Sequence, residues 1–234
     1  MSAITIDFWT SLLDTENAHY EQYWRVLDLS EKTQAEKFSN HLLHQRYVAA
    51  HGQLRTVLAH YVPQSAARIN IQKTDLGKPY FADYPEIAFN LSHSDDHIAV
   101  AVAKNCRLGV DIEHCKQRAS LADLVQKCFS AEEAAYWQQL PEDQKTREFY
   151  QFWTRKEAFV KATGLGISLG LSECVINPVY PQQFLAVPAR CGLASDWHSR
   201  DIDVGQDLRA ALVANKAITA VNIKGDFYNV ELNL

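Results

Sequence analysis

The order of the expected elements constrains this chain more than any other feature: strand, helices, then strands, run through twice in 234 residues. The first pass opens on residues 3–9, where Ile4, Ile6 and Phe8 alternate with their neighbours as a half-buried strand does. A helical stretch follows through Tyr20, Tyr23, Trp24 and Leu27, and a second short helix begins near Ser30. Between His41 and Tyr61, Leu43, Tyr47, Leu54, Val57, Leu58 and Tyr61 recur at helical spacing, a long amphipathic helix stopped by Pro63. Strands are then expected at Arg68–Lys73, Ile87–Ser92 and His97–Ala103.

The second pass has the same order. Leu108–Glu113 alternates as a strand, helices are expected near Leu121–Phe129, Ser130–Leu140 and Thr146–Thr163, and strands at Glu173–Asn177, Phe184–Val187, Ala210–Ala214 and Ile218–Ile223. The likeness is one of element order, without a repeated sequence, and it predicts an α+β fold of two similar halves packed together. The halves, residues 1–106 and 107–234, should meet near Lys104–Gly109. Residues 180–208, with Pro181, Pro188, Trp197 and His198, show no period and suggest no role.

Bulk properties narrow the function classes. With 23 basic and 28 acidic residues the formal charge is −5, which argues against a general nucleic-acid binder and leaves room only for a local basic pocket. The five cysteines are scattered without a CxxC pair, so neither a disulfide framework nor a zinc site is expected. The opening MSAITIDFWTSLL lacks the basic start of a signal peptide, and no apolar run reaches the roughly 20 residues of a membrane span. A cytoplasmic protein with reduced thiols is the expectation.

Six short segments could carry chemistry. In Gly109-Val110-Asp111-Ile112-Glu113, residues two apart on a strand share a face about 7 Å apart, so both carboxylates project together. Like charges so placed repel unless a cation or donors lie between them, although an exposed strand face would explain the pair as well. In residues 149–164, Phe149, Phe152, Trp153, Val160 and Thr163 form a burying stripe, while Glu157 and Lys161 lie one turn apart on one face. Phe89-Asn90-Leu91-Ser92-His93-Ser94 runs a strand into hydroxyls and an imidazole suited to phosphate oxygens, or into an ordinary turn. Asp75-Leu76-Gly77-Lys78-Pro79 displays one lysine on a turn. Arg46 and Arg55 stand on the long helix, where lone arginines are usually solvated but can grip phosphate in a bidentate fork. Ser130 and Glu133 have the spacing of a capping box, so helix initiation competes with any catalytic role for Glu133.

Taken in this order, GKP (77–79), FNLSHS (89–94), GVDIE (109–113), FSAEE (129–133) and FWTRKEAFVKATGLG (152–166) make a specific set. The chain resembles the 4′-phosphopantetheinyl transferases, in particular their long single-chain, surfactin-type branch. The resemblance spans residues 77–166 and extends toward Phe38 and Arg46. It implies a pseudo-twofold pair of α/β halves with the active site in the cleft between them. It also implies an enzyme moving the phosphopantetheine arm of coenzyme A onto a serine of an apo acyl or peptidyl carrier protein, with release of 3′,5′-ADP.

Carried over position by position, Asp111, Glu113 and Glu157 would hold Mg²⁺ with the pyrophosphate, a hard cation among oxygen ligands. Lys161 would contact the phosphates and protonate the leaving group, with Lys156 a second cation in the same motif. Ser92 and His93 match phosphate contacts, and Lys78 and Arg46 match residues near the 3′-phosphate and adenosine end. The base for the carrier serine is either Glu133 or a water on the metal. Lys32 and Lys37 do not align with the lysines this branch often sets against the 3′-phosphate. A glycine commonly follows the SHS turn, whereas this chain has Asp95-Asp96, two acids that must point away from a phosphate site. A monomer is expected, since one chain carries both halves. Two other readings stay open: a coenzyme A-binding module without transfer activity, which should lack a metal ligand, and a Mg²⁺-dependent phosphohydrolase, in which water replaces the serine.

Overall fold

Residue alternation builds the first sheet. The structure, a computed structural model, describes residues 3–13, 19–166 and 169–225. Its strands and helices are β1 (Ile4–Leu12), α1 (Tyr20–Val26), α2 (Leu29–Ala35), α3 (His41–Leu58), β2 (Ile71–Lys73), β3 (Pro79–Phe81), β4 (Ile87–Ser94), β5 (His97–Lys104) and β6 (Leu108–His114). There follow α4 (Leu121–Cys128), α5 (Ala131–Gln139), α6 (Glu142–Thr163), β7 (Val175–Ile176), β8 (Phe184–Ala186), β9 (His198–Ile202), β10 (Leu208–Ala214) and β11 (Ile218–Ile223). The main sheets have the orders β11-β1-β5-β4 and β6-β10-β9.

Three cores stack these elements in layers. Ile6, Phe8, Ala99, Ala101, Val110, Ile112, Ala210 and Leu212 form an apolar layer between the two sheets. The opposite face of the first sheet, through Trp9, Val100, Val102 and Phe89, packs on Val48, Leu54, Val57 and Leu58 of α3. The opposite face of the second, through Ala211 and Val213, packs on Phe152, Phe159 and Ala162 of α6. Strands buried on both faces read as near-continuous apolar runs, which is how His97–Lys104 and Leu208–Ala214 look in sequence. The pseudo-twofold α+β architecture expected from the element order is the one observed.

Several boundaries differ from the sequence expectation for local reasons. Helix α6 begins at Glu142 after Pro141, four residues before Thr146, because its first turn is polar and carries no apolar period. It ends at Gly164, whose φ of 72° is left-handed and disfavoured for a side chain. Strand β9 lies inside the unpatterned segment 180–208. Strand β11 leaves the second half and pairs parallel with β1, so the last strand edges the first sheet. Arg55 is fully buried, not solvated: Nε donates to Glu31, Nη2 to Asp28, and Nη1 to the carbonyls of Ala66 and Ile69. It ties the end of α3 to the capping box that starts α2. Among the described residues no helix is long and apolar enough to cross a membrane.

Gly109 fixes how closely β6 approaches α6. A Cβ there would meet the Ala158 carbonyl oxygen at 2.0 Å and the Ala162 nitrogen at 2.5 Å, both helix backbone. Backbone of a helix buried on this face cannot step aside, so Gly109→Ala is expected to cost about 3 kcal/mol or more. A urea midpoint within experimental error of the parent would show that the sheet and helix can separate without loss.

Candidate active site

The two sheets meet along β4 and β6, and there side chains replace the backbone ladder. Alternation puts Asn90, Ser92 and Ser94 on one face of β4, turned toward β6. Asn90 Oδ1 accepts from Val110 N at 2.8 Å, Ser92 Oγ donates to Asp111 Oδ1 at 2.8 Å, and Ser94 Oγ donates to Glu113 Oε2 at 2.8 Å. Ser94 Oγ also accepts from His114 N at 3.1 Å. The SHS motif is therefore a stitch between the halves, and it orients both acids of GVDIE. Asn90 and Ser94 escaped the sequence reading as site residues, although their two-residue spacing from Ser92 was the available signal.

Asp111 is the centre of the seam. It is only 3% exposed, and its Oδ1 also accepts from Lys161 Nζ at 2.6 Å. Lys161 Nζ further donates to Ser92 Oγ at 2.7 Å, closing a triangle across β4, β6 and α6. Asp111 Oδ2 is buried with no hydrogen-bond partner. Glu157 lies one turn before Lys161 on α6 and opens on the same cleft. Loss of water raises the Glu157 carboxyl above its usual range, and the Asp111 and Glu113 charges add to this. Glu113 is raised in the same way, first by burial and then by Asp111. The three carboxylates thus feel one another. Among the described residues no three His, Cys, Asp or Glu groups are yet drawn tightly enough to hold an ion by themselves.

This donor set fits Mg²⁺. A buried carboxylate oxygen without a partner is costly, and hard oxygen donors whose mutual repulsion raises their affinity for protons gain equally from a divalent cation.

On the other face of β4, Leu91 packs into the α3 core and His93 ends the row beside α3. Although the edge of the His93 ring is exposed, loss of water around the rest holds it below its usual pKa, and Lys161, His51 and Arg46 push the same way. Two permanent cations, Lys161 on α6 and Arg46 on α3, therefore act on His93 from either side of the end of β4. Arg46 Nη2 donates to Asp96 Oδ1 at 2.5 Å, while Arg46 Nε is buried and unpartnered.

Three expected site residues are placed otherwise. Lys78 Nζ donates to Leu108 O at 3.0 Å and to Ala162 O at 2.8 Å, joining the start of β6 to the last turn of α6. Burial, then Arg107, lower its pKa to about 8. Two of its three ammonium N–H groups are thus spent on carbonyls, and the residue also lines the cleft cavity. That cavity, about 350 Å³, is bordered by Leu76, Lys78, Leu91, Glu157, Lys161 and Gly166. Lys156 and Glu133 are both wholly buried and form an ion pair at 2.8 Å. Glu133 Oε2 also accepts from Ser130 N and Oε1 from Ile176 N, each at 2.7 Å. Lys156 Nζ donates to the carbonyls of Leu171 and Cys174. A carboxylate held by three donors and wholly buried is shut off from a substrate proton, and the equally buried ammonium is shut off from a phosphate. The pair fastens the chain after α6 to the starts of α5 and β7.

Two family models match the chain. The family described as 4′-phosphopantetheinyl transferase superfamily matches residues 107–213, and that described as 4′-phosphopantetheinyl transferase, N-terminal, matches residues 13–105. The chain is 30% identical over 188 residues to the 4′-phosphopantetheinyl transferase HetI of Nostoc sp., covering 79% of each chain. It is 32% identical over 163 residues to the 4′-phosphopantetheinyl transferase psf-1 of Bacillus pumilus, 69% of each. With a 4′-phosphopantetheinyl transferase of Bacillus subtilis it shares 36% identity over 120 residues, 51% of this chain and 52% of the relative.

Proposed function

Since this chain belongs to the 4′-phosphopantetheinyl transferase superfamily, we propose that the β4–β6 seam and the facing end of α6 are where it performs the transfer. The protein is a transferase that moves 4′-phosphopantetheine to a carrier protein. The observation that carries our site assignment is the buried, unpartnered Asp111 Oδ2, set between Glu113 and Glu157 and beside Lys161.

In the reaction the carrier's serine oxygen forms a bond to the phosphorus bearing the pantetheine arm. The bond from that phosphorus to the bridging oxygen breaks, and 3′,5′-ADP leaves with the electron pair. Asp111, Glu113 and Glu157 would hold Mg²⁺, which when bound supplies a Lewis acid for the charged phosphate oxygens. Lys161, fixed by Asp111 and Ser92, offers the remaining proton of its ammonium to the leaving phosphate. With Glu133 sealed in the core, Glu157 is the carboxylate in the cleft able to take the serine proton. His93 and Arg46 are assigned to the phosphates of coenzyme A, whereas Lys78 and Lys156 act as struts that hold α6. We further infer a monomer working in the cytoplasm, with its carrier drawn by local positive charge, because the net charge of −5 gives no long-range attraction to an acidic carrier.

The test is direct. Purified protein is incubated with coenzyme A, Mg²⁺ and apo fatty-acid, polyketide or peptide carriers, and each carrier is weighed by mass spectrometry. At least one should gain phosphopantetheine, and chelation should stop the gain until Mg²⁺ is restored. No adduct on any carrier would sink the assignment; an adduct formed equally well in chelator would sink the metal role alone.

A further inference from the structure

The hairpin that ends the seam holds an acid where a substrate anion would be expected to bind. Asp95 and Asp96 form the two-residue connection between β4 and β5. Asp95 adopts a φ of 50°, a left-handed conformation that aspartate tolerates and glycine takes freely. Its carboxylate is drawn outward by Lys116 Nζ at 2.6 Å and His114 Nδ1 at 3.0 Å. Asp96 turns the opposite way, onto Arg46, with its backbone oxygen accepting from Leu13 N at 2.6 Å. Asp95 therefore faces away from Arg46, and Asp96 faces it.

Arg46 is only half used by this pair. Its Nε is buried without a partner, and with Lys161 it is one of the two permanent cations acting on His93. An arginine fork engaged by one aspartate oxygen, with a second donor left over, is the setting into which a bidentate phosphate fits better than the resident carboxylate. We propose that Asp96 is a built-in competitor for Arg46 that the 3′-phosphate of coenzyme A must displace, so that this residue sets how strongly the enzyme binds coenzyme A over forms lacking that phosphate. The proposal rests on the assignment of Arg46 to coenzyme A. Until the phosphate arrives, Asp96 neutralises the guanidinium; once it arrives, Asp96 is a like charge beside it.

Isothermal titration of the full chain with coenzyme A and with 3′-dephospho-coenzyme A, in the parent, Asp96→Asn and Arg46→Ala, reads this out without catalysis. Asp96→Asn should bind coenzyme A about five- to tenfold tighter while dephospho-coenzyme A changes by less than about twofold. The gain should shrink as salt is raised, because the hairpin is exposed and its charges are screened. Arg46→Ala should bring the two ligands to similar affinity. If Asp96→Asn leaves coenzyme A unchanged, weakens it, or tightens both ligands alike, the competitor role is overturned. If Arg46→Ala preserves the preference for the 3′-phosphate, the assignment of Arg46 is what fails, and the Asp96 proposal falls with it, whatever the transfer assay shows.

Discussion

Replacing Asp111 by asparagine is expected to lower transfer by about two to three orders of magnitude while the protein stays folded. The substitution keeps the volume of a side chain that is only 3% exposed and leaves an oxygen for Ser92 Oγ to donate to. What it removes is charge. Lys161 then loses its carboxylate partner at 2.6 Å, and the cluster loses the oxygen that has no partner of its own. Glu113 and Glu157, relieved of a neighbouring negative charge, should both titrate lower, since Asp111 raises both. The rate is measured as carrier adduct formed per minute, alongside a urea titration and the Mg²⁺ concentration giving half the maximal rate. A variant with near-parental rate at saturating Mg²⁺ would remove Asp111 from the centre of the site.

Lys156→Met is expected to have a large effect on stability, about 3–5 kcal/mol, because it strands a buried carboxylate. Lys156 and Glu133 have no exposed surface, and the ammonium also serves the Leu171 and Cys174 carbonyls. Those acceptors lose their donor together with Glu133, and none can reach water in its place. Glu133→Gln should cost a similar amount, about 3–5 kcal/mol, since it leaves the buried Lys156 ammonium without a counter-ion and sets an amide nitrogen against a backbone N–H. Both costs appear as lower urea midpoints at unchanged slope. Below the transition, activity per folded molecule should be near parental. A Glu133→Gln variant of parental stability but much slower transfer would restore Glu133 as the base, and a Lys156→Met variant that chiefly weakens coenzyme A would restore Lys156 as a phosphate contact.

Glu133 and Lys156 show why motif membership did not reveal role. Both sit in segments that resemble the family pattern, and Lys156 is one residue away from Glu157, which faces the cleft. Which side of α6 faces the cleft is decided by how the helix lies on β6 and β10. Lys156 and Glu157 are neighbours in sequence yet project about 100° apart on a helix, so one enters the core and the other the cleft. Lys78 is a similar case: a turn lysine reads as solvated, but its reach to Leu108 O and Ala162 O exists only once the halves have joined. Asp96 and Arg46 are 50 residues apart, and no local pattern announces their contact.

The sequence by itself determined the elements and the acid cluster: alternation made β1, β4 and β6, helical spacing made α3, the Ser130–Glu133 pair started α5, and the spacing of Asp111 and Glu113 put both carboxylates on one face. These are short-range properties, written in residues within a few positions of each other. The tertiary structure alone decided which charges are structural and which are available for chemistry. It placed β11 in the first sheet, set Ser92 and Ser94 against the acids of β6, and buried Lys156 with Glu133 while leaving Glu157 and Lys161 in the cleft. The reason is that the protonation and use of an ionisable group depend on its water and its neighbours, and both are fixed only when distant segments come together.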